Sequence, residues 1–286
     1  MRLAAQGGMA VASARVCAAA RPVFDWSTMS IPVVLLAGGL GTRLREETEF
    51  RPKPMVEIGN HPILWHIMKS YAARGFDEFV ICLGYKGDYI KEYFLNYRAR
   101  QGSLTVDLRS GSINPHSSEA SESWLVHLLE TGNDTMTGGR VKRAAQFLRG
   151  RRFMLTYGDG LADVDTRELL EFHEKSGKLA TITAFRPPSR FGGLVIEGDT
   201  IERFEEKPAA GENWINGGYM VFEPGVEAYI DNDSTILERS PLETLAREGQ
   251  LGVYQHPGYW QCMDTLRDKE LLEELWRQDG APWKVW

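Results

Sequence analysis

The residues Gly38-Gly39-Leu40-Gly41-Thr42-Arg43 follow directly on the apolar run Ile31 to Ala37. Glycines placed straight after a strand allow a tight turn and close backbone approach, so their N–H groups can surround a phosphate. The spacing decides which cradle this is. Gly39-x-Gly41 is followed by Leu44 where a dinucleotide fingerprint carries a third glycine, and no Gly-Lys-Ser/Thr closes the loop as in a Walker A sequence. What stands there is a stretch of backbone through Leu36, Ala37, Gly38, Gly39, Leu40, Gly41 and Thr42, ending in the planar cation Arg43. A second cation, Lys53, is held between Pro52 and Pro54. Two cations beside a backbone nest suit a triphosphate, one tracking the outer phosphates and the other the α-phosphoryl group that must accept charge.

Asp159 lies between Gly158 and Gly160, at the end of the apolar run Phe153 to Tyr157. Ligand chemistry in open α/β sheets gathers at the carboxyl ends of strands. A carboxylate beside a triphosphate most simply holds Mg²⁺, a hard ion bound by one or two carboxylates plus phosphate oxygens. Its partner should stand far away in sequence. Asp264, in Trp260-Gln261-Cys262-Met263-Asp264-Thr265, is the candidate, although by itself it equally suits the N-cap of the helix that follows. Lys207, in Phe204-Glu205-Glu206-Lys207-Pro208, reads by itself as a solvated lysine beside glutamates. The six histidines form no H-x-x-x-H or H-E-x-x-H pair, and no serine elbow or Cys/His pair points to covalent catalysis.

The elements that must position these groups alternate. Ile31 to Ala37 is a short continuous apolar run, as expected of a buried parallel strand. Helical spacing over Pro62 to Gly75, a strand at Phe79 to Leu83 and a helix from about Gly87 to Tyr97 follow. That order predicts a parallel sheet with crossover helices. Ser110 to Ser123 reads as loop by composition. Beyond it are expected a helix at Gly139 to Leu148, the strand Phe153 to Tyr157, a helix at Thr166 to Ser176 and a strand at Ala180 to Phe185. Strand-like pieces at Gly193 to Glu197 and Tyr219 to Phe222, then helices at Pro241 to Gly249 and Leu266 to Trp276, complete the chain. Trp260, Trp276, Trp283 and Trp286 read as packing residues of a core or subunit contact.

At 286 residues the chain can bury a sizeable core, and 43% hydrophobic with 25% charged residues is ordinary for a globular protein. Its net charge of −6 argues against a nucleic-acid partner. Three cysteines without a CxxC fit a reducing compartment such as the cytoplasm. No apolar stretch approaches the roughly 18 residues of a membrane span. Residues 1–30 are rich in Ala and Arg and lack strong periodicity. They read as an upstream start or added residues ahead of Met29, with a targeting peptide as the alternative, and are excluded from the fold. Residues 31–286 show no repeat and no linker, and are expected to form one domain.

The string Leu36 to Leu44 followed by Arg51 to Met55 resembles the signature of the sugar-1-phosphate nucleotidyltransferases. Within that family the chain is similar to members that use CTP. The likeness is carried by PKPMVEIG (Pro52 to Gly59), PILWHIMK (Pro62 to Lys69), TGxxxMTGGR (Thr131 to Arg140), TYGDG (Thr156 to Gly160), EKP (Glu206 to Pro208), INGG (Ile215 to Gly218) and MDTLRDK (Met263 to Lys269). The resemblance implies a Rossmann-like three-layer α/β fold with a mostly parallel central sheet and a small additional β region. It implies CTP and glucose 1-phosphate as substrates, Mg²⁺ on Asp159 and Asp264, and catalytic roles for these two with Arg43 and Lys53. It assigns Thr135, Arg140 and Gly158 to the nucleotide, Lys207 to the sugar phosphate, and Glu206 and Asn216 to sugar hydroxyls. The base is the least constrained of these, with UTP or dTTP as alternatives and a non-catalytic nucleotide-binding regulator as the distant one. A homo-oligomer, with a hexamer suspected, is implied too.

Overall fold

The computed structural model describes residues 31–116, 122–186, 193–197, 200–205 and 214–286. Its chain order begins with β1 (Val33–Leu36), α1 (Arg45–Thr48), β2 (Glu57–Ile58), β3 (His61–Pro62), α2 (Ile63–Ala73), β4 (Glu78–Leu83) and α3 (Gly87–Leu95). Then come β5 (Leu104–Asp107), β6 (Ser112–Pro115), β7 (Leu125–Glu130), α4 (Thr137–Leu148), β8 (Phe153–Tyr157), β9 (Gly160–Ala162), α5 (Thr166–Ser176) and β10 (Ala180–Phe185). The remainder is β11 (Gly193–Glu197), β12 (Thr200–Glu205), β13 (Ile215–Phe222), α6 (Ser240–Arg247), β14 (Leu251–His256), β15 (Trp260–Cys262) and α7 (Leu266–Arg277).

Seven strands form the central sheet in the order β14-β10-β13-β8-β1-β4-β7. All neighbours are parallel except β13, which is antiparallel to both β8 and β10. The apolar runs explain the centre: every residue of β1 and β4 is buried, as both faces of a parallel sheet require. Alternate side chains then divide between two cores. Val33, Leu35, Phe79 and Ile81 pack with α2 and with Leu169 of α5 and Leu272 of α7. Val34, Leu36, Val80 and Cys82 pack with Val141, Ala144 and Leu148 of α4 and with Leu242 and Leu245 of α6. Helices on both faces make three layers, as expected.

The helix bounds follow local chemistry. Asp165 caps α5 by accepting from the N–H groups of Arg167 and Glu168, and Gly177 ends it in the left-handed region. The expected loop at Ser110 to Ser123 is corrected in part: Ser112–Pro115 is β6, paired antiparallel with β5 as an exposed ribbon, and residues 117–121 lie outside the described residues. The piece expected at Tyr219 begins earlier, at Ile215, because the glycine-containing start of β13 continues the ladder against β10. β11 and β12 form a separate two-stranded sheet, the additional β region. Residues 1–30 lie outside the described residues.

Candidate active site

The glycine-rich segment leaves β1 at the carboxyl edge of the sheet and lines a cavity of about 600 Å³. Gly41 takes φ +63°, a left-handed turn that favours glycine, and Gly39 has open space where a Cβ would stand. Leu36 through Arg43, Lys53, Thr135, Arg140, Gly158 and Asp159 all line this one cavity. Residues separated by up to 123 positions in sequence thus meet at one cavity.

Lys53 begins a 3-10 turn, Lys53–Met55, whose backbone is set by Pro52 and Pro54 and by the bond from Met55 N–H to the Pro52 carbonyl. Its side chain is only 11% exposed, and Nζ donates to Asp159 Oδ2 at 2.5 Å and to Asp264 Oδ1 at 2.6 Å. Arg43 Nη1 donates to the other oxygen, Asp264 Oδ2, at 2.7 Å. Burial alone would lower the Lys53 ammonium, but Asp159 and then Asp264 outweigh it and hold it above its ordinary value. Burial likewise opposes ionisation of Asp264, and Lys53 and then Arg43 overcome it, holding the carboxyl below the usual range.

A short antiparallel pair brings the carboxylates together. β9 begins directly after Asp159 and pairs with β15, with Cys262 opposite Gly160, so Asp264 arrives beside Asp159. The N-cap alternative for Asp264 is corrected. Thr265 caps α7 in a capping box with Asp268, and Asp268 Oδ2 also accepts from the Asp264 N–H, leaving the Asp264 carboxylate for the cations. Both carboxylates converge on one cation position, which is the donor set a hard divalent ion would use. Among the described residues no group of three or more His, Cys, Asp or Glu could hold a metal. An ion on this pair would complete its shell with water or phosphate oxygens, as Mg²⁺ commonly does.

The residues expected to meet the base are arranged differently from free donors. Arg140 lines the cavity, yet the residue is only 4% exposed and its guanidinium is already bonded. Nη1 donates to the Leu83 carbonyl and Thr131 Oγ1, and Nη2 to the carbonyls of Gly38 and Asn133. It braces the glycine loop against the segment that follows β7. Thr135 is buried in the cavity wall, and Asn133, Asp134, Met136 and Thr137 complete that wall. Tyr157 also lines the cavity and donates its hydroxyl to Glu238, which accepts from Thr137 Oγ1 too. Tyr157 was legible as the neighbour of Gly158-Asp159, whereas nothing in the spacing pointed to Glu238.

Asn216, expected at a sugar hydroxyl, is exposed near the start of β13, and its Oδ1 accepts from the Gly218 N–H at 3.0 Å. Trp260 donates its indole N–H to the Gly217 carbonyl at 2.9 Å, a packing role at the edge of the site. Glu206 and Lys207 lie outside the described residues.

The Nucleotidyl transferase family profile matches residues 32–261. A glucose-1-phosphate cytidylyltransferase of Salmonella typhi is 51% identical over 254 residues, covering 88% of this chain and 98% of that protein. A mannose-1-phosphate guanyltransferase of Candida albicans is 30% identical over 248 residues, covering 84% of this chain and 62% of that protein. The structure of HddC from Yersinia pseudotuberculosis shares the fold, with a TM-score of 0.64 at 24% identity over 86% of this chain and all of that one. With its glycine-rich cavity and carboxylate pair, the chain belongs to the nucleotidyl transferase family and, within it, to the glucose-1-phosphate cytidylyltransferases.

Proposed function

We propose that the chain transfers the cytidylyl group of CTP to α-D-glucose 1-phosphate, giving CDP-glucose and pyrophosphate. The observation that carries this reading is the meeting of Lys53 with Asp159 and Asp264 at the glycine-rich cavity. The choice of CTP is supported by 51% identity to a cytidylyltransferase against 30% to a guanyltransferase.

In the reaction a phosphate oxygen of the sugar phosphate attacks the α-phosphorus in line, and the bond to the bridging oxygen of the β-phosphate breaks. Such chemistry is mostly positioning and charge neutralisation. Mg²⁺ held by Asp159 and Asp264 would supply charge neutralisation at the reacting oxygens. Arg43 and the Gly38 to Thr42 backbone hold the leaving pyrophosphate. Lys53 steadies the α-phosphoryl group. Thr135 and the neighbouring backbone meet the base, with Arg140 fixing the wall behind them. Lys207 docks the acceptor phosphate, and Glu206 and Asn216 take sugar hydroxyls.

A homo-oligomer in the cytoplasm belongs to this reading. The exposed Leu104, Val106 and Ile113 of the β5–β6 ribbon favour a subunit contact. Cys82 and Cys262 are free thiols, and among the described residues no helix is long and apolar enough to cross a membrane. The test is pyrophosphate release with Mg²⁺ and glucose 1-phosphate, comparing CTP, UTP, dTTP and ATP. Strong preference for CTP is expected. Preference for UTP or dTTP would keep the reaction and change the base, and silence with all four in a protein that binds nucleotide would leave a regulator.

A further inference from the structure

Lys53 occupies the position that a metal on Asp159 and Asp264 would need. Its Nζ lies 2.5 Å from one carboxylate and 2.6 Å from the other, inside the pair rather than beside it. An ammonium and a divalent ion cannot share that position: two cations so close repel strongly, and the carboxylate oxygens cannot satisfy both. The same side chain also lines the nucleotide cavity. Its backbone is fixed by the proline-framed turn, with Val56 N–H bonded to the Lys53 carbonyl at 3.1 Å, so its flexible four-carbon stem is what can move.

We infer that Lys53 is an internal counter-cation that competes with the metal for the carboxylate pair. It bridges the two carboxylates with its ammonium, and it must leave the pair when a divalent ion binds. On leaving, its ammonium is released into the cavity, where the nucleotide phosphates lie in the proposed reading. One exchange thus couples metal entry to delivery of the lysine. The free enzyme then binds divalent metal weakly, because only the fraction of molecules with Lys53 displaced is competent. Nucleotide phosphates, by offering Lys53 another anionic partner, strengthen metal binding. Arg43 bonds Asp264 from the solvent side, and with its side chain 75% exposed it can swing away without vacating a buried position. The inference rests on the pair being the metal site of the proposed function.

The experiment is Mn²⁺ binding to the nucleotide-free protein, followed by electron paramagnetic resonance, in the wild type, Lys53→Met and Asp159→Asn. Lys53→Met should bind Mn²⁺ at least about tenfold more tightly than the wild type, a difference of about 1.4 kcal/mol. Equal or weaker binding by a folded Lys53→Met protein overturns the competition. Loss of saturable Mn²⁺ binding in Asp159→Asn is expected. Unchanged binding there would instead overturn the metal site itself, so the two failures are separable. A second measurement needs no variant. Acylation of Lys53 in the wild type, read by peptide mass mapping, should speed up on adding Mn²⁺. Unchanged or slower labelling at saturating Mn²⁺ shows that metal and lysine coexist, and sinks the exchange.

Discussion

The backbone N–H of Met263 donates to the carbonyl of Asp159 at 2.8 Å. This bond extends the β9–β15 pairing to the residues on either side of the two carboxylates. The loop after the sheet strand β8 and the segment before α7 are therefore tied to each other through backbone, which fixes the separation of the Asp159 and Asp264 main chains.

Asp159→Asn keeps that backbone bond and the size of the side chain while removing one of the two charges facing Lys53. Turnover with CTP, glucose 1-phosphate and Mg²⁺ should fall on the order of a hundredfold or more, with a melting temperature within a few degrees of the wild type. Steady-state rates and a thermal melt on the same preparation check both halves, and near-normal turnover would contradict the assignment.

Gly38 and Gly39 are adjacent, but a methyl group has opposite consequences at each. At Gly38 the Cβ would lie 2.2 Å from Nη1 of Arg140, a buried group whose bonds prevent it from yielding. At Gly39 nothing lies within 4 Å. Gly38→Ala should lower stability by about 1–3 kcal/mol through overpacking. Gly39→Ala should leave the melting temperature in place and raise the KM for CTP, because its methyl intrudes on backbone that must approach phosphate. Parallel melts and CTP titrations separate the two.

Arg140→Met removes the fork that joins Gly38, Leu83, Thr131 and Asn133. The Gly38, Leu83 and Asn133 carbonyls lose a charged donor together, although Gly38 and Leu83 keep the N–H groups of Tyr85 and Thr131, so a cost of about 2 kcal/mol is expected in urea unfolding. The KM for CTP should rise more than kcat falls, since the residue positions the pocket and does not touch the reacting atoms. Arg140→Lys keeps the charge without the planar fork and should recover little of either.

His66 gives the fold an acid limit. Its Nδ1 accepts from the Trp283 indole N–H, and its Nε2 faces the Ile58 carbonyl at 2.9 Å, so the partners fit a neutral ring protonated at Nε2. Burial pushes its pKa from 6.5 down to about 4. As the pH falls below 6.5 the unfolded chain takes up this proton first. The stabilisation is therefore complete above that pH and is lost toward pH 4, at up to about 1.4 kcal/mol per pH unit. Burial lowers His61 and His173 in the same direction. Urea midpoints between pH 7.5 and 4.5 should fall in the wild type and fall less steeply in His66→Gln.

Much of this architecture is legible in the amino-acid sequence. The short apolar runs within β1, β4 and β8, bounded by turn residues, read as strands buried on both faces, and Asp165 and Gly177 bracket α5 by capping chemistry. Elements of mixed composition are not legible. β7 carries His127 and ends in the exposed Glu130 because it is an edge strand, half-buried from Leu125 to Leu129, so its pattern lacks a clean period. β14 contains Gly252 and Gln255 for the same reason at the other edge. In the site, the phosphate cradle comes from local spacing, while the pairing of Asp159 with Asp264 comes only from resemblance. The contact depends on a three-residue strand pair, too short to leave a sequence period. The brace made by Arg140 is invisible because its partners are backbone carbonyls, which any sequence would supply.

The reversed strand has a consequence for how the chain is made. β7, β4, β1 and β8 can pair as soon as residue 157 has been synthesised, but β8 then stands at an open edge until β13 arrives some 60 residues later. During that interval the alternate backbone groups of Phe153–Tyr157 that do not bond to β1 face solvent. Such an edge is a template for pairing with another nascent chain. Truncated products ending between β8 and β13 are therefore expected to be more aggregation-prone than the full chain, because they carry that open edge.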